Sequence, residues 1–95
     1  MKPSVLLEEK RDAIRAVISR YKVANPRVFG TVTLGKDREG DDFEILVDSQ
    51  GAGLFHLCGL QGELCDLLGT QVYVITPGNI PQKYRDEVLA EAKPI

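Results

Sequence analysis

Val28-Phe29-Gly30-Thr31 and, after a ten-residue spacer, Asp42-Phe43-Glu44-Ile45-Leu46-Val47 decide how this chain reads. The second stretch is short and apolar and reads as a strand carrying two acidic side chains. Successive strand residues point to opposite faces, so Asp42 and Glu44 share one face while Phe43, Ile45 and Val47 share the other. Two carboxylates on one face, roughly 7 Å apart at Cα, repel each other unless a cation lies between them. Hard oxygen donors with room for water and phosphate suit Mg²⁺. The Gly30-Thr31 turn ahead of them offers backbone N–H groups to a phosphate. Together these features suggest a nucleoside-triphosphate site.

Outward from this centre, the apolar positions Leu6, Ile14, Val17, Ile18 and Tyr21 recur at helical spacing, so a helix is expected from a cap at Ser4 to about Tyr21. Asn25-Pro26 reads as a stop. A short first strand, Arg27 to Phe29, ends at Gly30-Thr31. The polar, glycine-punctuated spacer Val32 to Asp41 reads as a loop, with room for one helical turn after Thr31. The second strand spans Asp42 to Asp48, and Gln50 to Gly53 forms a turn. Leu54 to Leu68 reads as a helix with Leu54, Leu57, Leu60 (or Gln61), Leu64, Leu67 and Leu68 on a core stripe, stopped by Gly69. Gln71 to Thr76 is a third strand, Pro77-Gly78-Asn79 a turn, and Pro81 opens a last helix to about Ala92. The order is helix, strand, loop, strand, helix, strand, helix. It predicts an α/β (α+β) fold with a mixed sheet of about three strands flanked by helices, the second and third strands parallel through a helical crossover.

Ninety-five residues predict one domain, residues 1–95. The chain is 27% charged and 43% hydrophobic, an ordinary globular composition. A net charge of −2 gives no strong nucleic-acid signal. No apolar run approaches the ~20 residues that span a bilayer, and no leader pattern opens the chain, so no membrane association and a cytoplasmic location are expected. Cys58 and Cys65, seven residues apart on one helical face, are too far apart for a disulfide and read as buried free thiols. His56 stands without a second ligand at usable spacing, because helical residues two apart do not face each other. Asp48 shares the face of Asp42 and Glu44 but reads as a strand-end solvating group. Lys36 to Glu39 read as a solvated loop, with Lys36 or Arg38 as candidate phosphate contacts.

With these segments in hand, the chain resembles the minimal nucleotidyltransferase family, a small branch of the DNA polymerase beta-like nucleotidyltransferases. The family's Gly-Ser, ten-residue spacer and Asp-x-Asp or Asp-x-Glu strand read here as Gly30-Thr31, Val32 to Asp41, and Asp42-Phe43-Glu44. Leu60 to Gly69 resembles its connecting helix, Val72 to Pro77 its third strand, and Arg85 to Ala92 its closing helix. Three departures stand out. Thr31 replaces Ser but keeps a hydroxyl. The family's Arg after the Ser is missing from Thr33-Leu34-Gly35, with Lys36 the nearby cation. Tyr73 stands where the family carries a third carboxylate.

The resemblance implies a small nucleotidyltransferase fold in which Asp42 and Glu44 hold Mg²⁺ and act in catalysis. Gly30, Thr31 and Lys36 then meet the triphosphate of ATP. It also implies a partner, since free-standing members of this size often serve as antitoxins of helical HEPN-type toxins, silenced by AMP transfer. The third carboxylate has a physical role, as a ligand for the metal that activates the attacking hydroxyl. A phenol of pKa ~10 does not replace it as a ligand at neutral pH. Two readings therefore stay open: a nucleotidyltransferase acting on its toxin, and a degenerate member that binds a partner without transfer.

Overall fold

A computed structural model describes residues 2–30, 32, 35–51 and 53–95. Helix α1 spans Pro3–Ile18, strand β1 Val23–Val28, strand β2 Phe43–Ser49 and helix α2 Leu54–Leu68. Strand β3 spans Val72–Ile75, a 3-10 turn Pro77–Asn79, helix α3 Gln82–Glu91 and strand β4 Lys93–Pro94. The sheet is mixed and its order is β3-β2-β1-β4. β2 runs antiparallel to β1 and parallel to β3, with α2 as the crossover. The α+β architecture is the expected one, and β4 adds a fourth strand that sequence reading leaves out. It is two residues long, contains Pro94, and is held by pairing with Arg27 and Val28.

The core forms on one face of the sheet. Phe43, Ile45 and Val47 of β2 are fully buried there. They meet Leu6, Leu7, Ile14, Val17 and Ile18 of α1 and Leu60, Leu64 and Leu68 of α2. Each such side chain contributes about 1.5–3 kcal/mol by leaving water. This burial fixes the phase of β2, because a slip of one residue would turn the apolar set outward. Leu46 faces the other way and is buried outside that cluster, as is Ile80 beyond the 3-10 turn.

Several boundaries differ from expectation. α1 ends at Ile18 rather than Tyr21, and it kinks at Lys10, whose φ/ψ of −116/17° is non-helical. Asn25-Pro26 lies inside β1 rather than ending an element. Asn25 adopts φ +53°, and the register slips between Ala24 and Arg27. The pair thus forms a bulge, which accommodates a proline that cannot donate to the ladder. Leu54 is exposed, since the α2 stripe runs past the end of the core. Cys58 is exposed and Cys65 half-buried, so the thiols are free but not both buried. Cys65 helps to hold the sheet together. Its Sγ accepts the Val72 N–H at 3.2 Å, and Gln61 Oε1 accepts the Val74 N–H at 2.9 Å. These donors alternate along β3, so α2 caps the outer edge of the sheet and holds β3 against β2.

The spacer is more than a solvated loop. Asp37 is buried, and its Oδ2 accepts the Ser4 backbone N–H at 2.8 Å. α1 begins at Pro3 after Lys2 with no side-chain cap of its own, so Ser4 is not the cap. A carboxylate brought from 33 residues away takes that place, where the helix dipole favours negative charge. Burial pushes the Asp37 carboxyl up, but hydrogen bonds from Ser4 and the loop backbone, with the Lys2 charge, outweigh it and hold it below the usual range. Because the folded value is depressed, this contribution is complete above the ordinary carboxylate range and is lost as pH falls through the folded value. We predict that Asp37→Ala destabilises the chain by about 1 kcal/mol at neutral pH, the usual effect of losing a cap. In urea titrations the difference should shrink as the pH drops below ~4, the ordinary carboxylate range; a constant difference would refute the cap.

Candidate functional site

β2 presents two chemistries. Its inward residues anchor the sheet, and its other face begins with Asp42, just ahead of the strand, and Glu44, half-buried within it. A tight turn delivers Asp42. Asp41 Oδ2 accepts the Arg38 N–H at 2.8 Å, the Asp41 N–H returns to the Arg38 carbonyl at 3.1 Å, and Gly40 takes φ +89° between them. The two carboxylates feel each other. Burial pushes the Glu44 carboxyl above its ordinary value, and the Asp42 charge pushes it further.

The end of β1 leads toward the same end of the sheet. Val28 pairs with Ile45, and Gly30 follows in a turn two residues beyond that last pair. Gly30 has φ +80°, a backbone shape that side chains disfavour, which explains glycine at this turn. Thr31, its expected partner on the phosphates, lies outside the described residues. Gly35 returns its N–H to the Val32 carbonyl at 3.3 Å, a turn within the spacer. Lys36 is exposed there, and among the described residues no contact joins it to Asp42 or Glu44.

β3 supplies the third member. In the parallel pairing Glu44 stands opposite Tyr73, so the two side chains share a face. Tyr73 is 41% exposed between buried Val72 and Val74. Asp42, Glu44 and Tyr73 therefore gather at one end of the sheet, on the Glu44 side, and the Gly30 turn follows the end of β1.

Other candidates resolve into structural roles. Asp48 accepts hydrogen bonds from Arg27 Nη2 at 2.6 Å and Asn25 Nδ2 at 3.3 Å. The Arg27 side chain is mostly buried, so it holds Asp48 in an ion pair rather than leaving it as a strand-end solvating group. Sequence reading misses this pair, which follows only from the β1–β2 register. His56 Nε2 accepts the Lys22 N–H at 2.9 Å, and its ring lies 4.9 Å from that of Tyr21. Tyr21 in turn donates to Glu63 at 3.2 Å. A cleft of about 210 Å³ lies between α1, β1 and β4, lined by Leu7, Arg11, Val28 and Lys93 among others. None of the expected site residues lines it, and Val28 opens it on the core side of the sheet.

The donor set suits one divalent cation. Two carboxylates that repel each other would be relieved by a cation between them, and phosphate and water oxygens can complete its shell. Among the described residues no group of three His, Cys, Asp or Glu side chains converges. The fold and this pair of acids beside a glycine turn define a nucleotidyltransferase-like domain.

Comparison with known proteins agrees. No family model matches the chain. A protein of Methanocaldococcus jannaschii named as a candidate protein adenylyltransferase is 30% identical over 87 residues, covering 90% of this chain and 94% of that protein. A solved structure described as a candidate minimal nucleotidyltransferase superposes with a TM-score of 0.84 at 31% identity, over 100% of this chain and 97% of the other. A toxin–antitoxin crystal structure with AMP-PNP shares the fold, with a TM-score of 0.70 at 19% identity over 92% of this chain and 70% of that one. This chain belongs to the minimal nucleotidyltransferase family.

Asp42→Asn should bring the Glu44 carboxyl part of the way back toward its ordinary value, because only the contribution of burial remains. Carboxyl-carbon NMR titration of Glu44 checks this; an unmoved midpoint would separate the two acids. A raised carboxyl destabilises the fold as pH climbs past its ordinary range. Glu44→Gln should therefore unfold at higher urea concentration than wild type at neutral pH without divalent cations.

Proposed function

We propose that this chain binds ATP with Mg²⁺ through Asp42 and Glu44 and transfers AMP to a partner protein. The observation that carries this reading is the pair of mutually repelling acids at the start of β2, which share their face with Tyr73. In this reading Asp42 and Glu44 hold the cation, while Gly30, Thr31 and Lys36 meet the phosphates. The cation, when bound, neutralises phosphate charge and polarises the phosphorus toward attack. The chain's own part is positioning: the Arg38–Asp41 turn aims Asp42, and the β2 core anchors Glu44. Asp42 and Tyr73 are exposed, so an acceptor protein would close the site over the nucleotide.

The toxin–antitoxin neighbours support a toxin as that partner, and the family resemblance supports a HEPN-type helical one. Free thiols and the absence, among the described residues, of any helix long and apolar enough to cross a membrane support action in the cytoplasm. Tyr73 favours a second reading. With a phenol in place of a third carboxylate, the chain would neutralise its partner by binding alone.

Isothermal titration with Mg-ATP tests the first reading. Asp42→Asn should weaken binding by about tenfold or more, equivalent to at least ~1.4 kcal/mol. Equal binding by both proteins would remove the acid pair from the site. With the toxin present, an added AMP on the toxin selects transfer, and a stable unmodified complex selects the binding reading.

A further inference from the structure

Of the three tyrosines of the chain, Tyr73 is the one that stands on the sheet, paired with Glu44. Tyr21 donates its hydroxyl to Glu63, and Tyr84 lies exposed on α3 beside the Lys83 ammonium. The Tyr73 hydroxyl bonds no described residue, although its strand is fixed on both sides. β2 pairs with it on one side, and Cys65 and Gln61 cap the other. The phenol is thus held on a rigid element and leaves its oxygen unused at the surface. Adjacent strands stand about 4.8 Å apart, so Tyr73 is the immediate neighbour of Glu44 on the same face. A tyrosine carries its oxygen farther from the backbone than an aspartate or glutamate does. Glu44, with Asp42, would hold the cation that accompanies ATP, and Tyr73 is the hydroxyl-bearing residue paired with Glu44 across the strands.

We infer that Tyr73 is itself a nucleotidyl acceptor, so that the chain adenylylates its own third strand. The inference rests on the reading of Asp42 and Glu44 as an Mg-ATP site. Tyr73 Oη attacks the α-phosphorus of ATP. The Oη–phosphorus bond forms as the bond from the α-phosphorus to the α,β-bridging oxygen breaks, and pyrophosphate leaves. The phenol proton passes to water, and the product is a phosphodiester joining Tyr73 to AMP. Placement on a fixed strand supplies the proximity that such a displacement needs. The single Tyr73 hydroxyl takes one AMP per chain.

The test is incubation of the full chain with ATP and Mg²⁺, followed by intact mass and peptide fragmentation. The expected result is a gain of one AMP, located on Tyr73, lost in Tyr73→Phe and kept in Tyr84→Phe. A second readout needs no turnover. In protein labelled with ¹³C at tyrosine, an ATP analogue with a methylene bridge between its α- and β-phosphates should move the Tyr73 resonance and leave that of Tyr21 in place. A sample that binds Mg-ATP yet gains no AMP on Tyr73, or gains it elsewhere, overturns this inference alone. Failure to bind Mg-ATP overturns it together with the reading of the acid pair.

Discussion

The structure turns on one opposition within a single strand. Burial of Phe43, Ile45 and Val47 pins β2 to the helices, and the same alternation forces Glu44 to the far face, next to Asp42. The two acids do not choose their proximity; the core imposes it. Burial and the Asp42 charge both work against ionisation of Glu44. A fold that gives up stability to a like-charge pair leaves a position where a cation is favoured. The remaining elements serve to aim that position: the Arg38–Asp41 turn from below, the Gly30 turn from β1, and Tyr73 from β3.

The two lateral edges of the sheet are handled differently. α2 occupies the hydrogen-bonding edge of β3 with Gln61 and Cys65 rather than with another strand. On the opposite edge, β1 is covered by two residues of β4, and Pro94 there lacks an N–H to donate. Asp37 ties the spacer to α1, so the segment between the glycine turn and the acids is anchored at its middle. Asp37 is buried at that anchor, while Lys36 beside it is exposed. The cleft between α1, β1 and β4 lies on the core side of the sheet and is separate from this chemistry.

Much of this was legible in the residues. The period of two in Asp42 to Val47 and the β-branched run Val72 to Ile75 mark the strands, because burial on one face leaves that signature. The glycine before the spacer was readable because φ +80° admits few other residues. What escaped reading depended on tertiary contacts. Asp37 gives no local sign that it caps a helix 33 residues away. Asn25-Pro26 carries the composition of a stop, and only its neighbours in the sheet turn it into a bulge. β4 is too short to show any period. Arg27 and Asp48 meet because of a register that the sequence does not print. Tyr73 stands out in the sequence as a departure from the family pattern, but its place opposite Glu44 required the β2–β3 pairing.

The central claim, that Asp42 and Glu44 form a cation-dependent nucleotide site, is met most directly by anomalous diffraction. Crystals of the chain would be soaked with Mn²⁺ and a non-hydrolysable ATP analogue. The account predicts a manganese peak between the two carboxylates, on the Tyr73 side of the sheet, with phosphate density reaching toward Gly30. An anomalous peak elsewhere, or nucleotide bound with no metal at these acids, would contradict it.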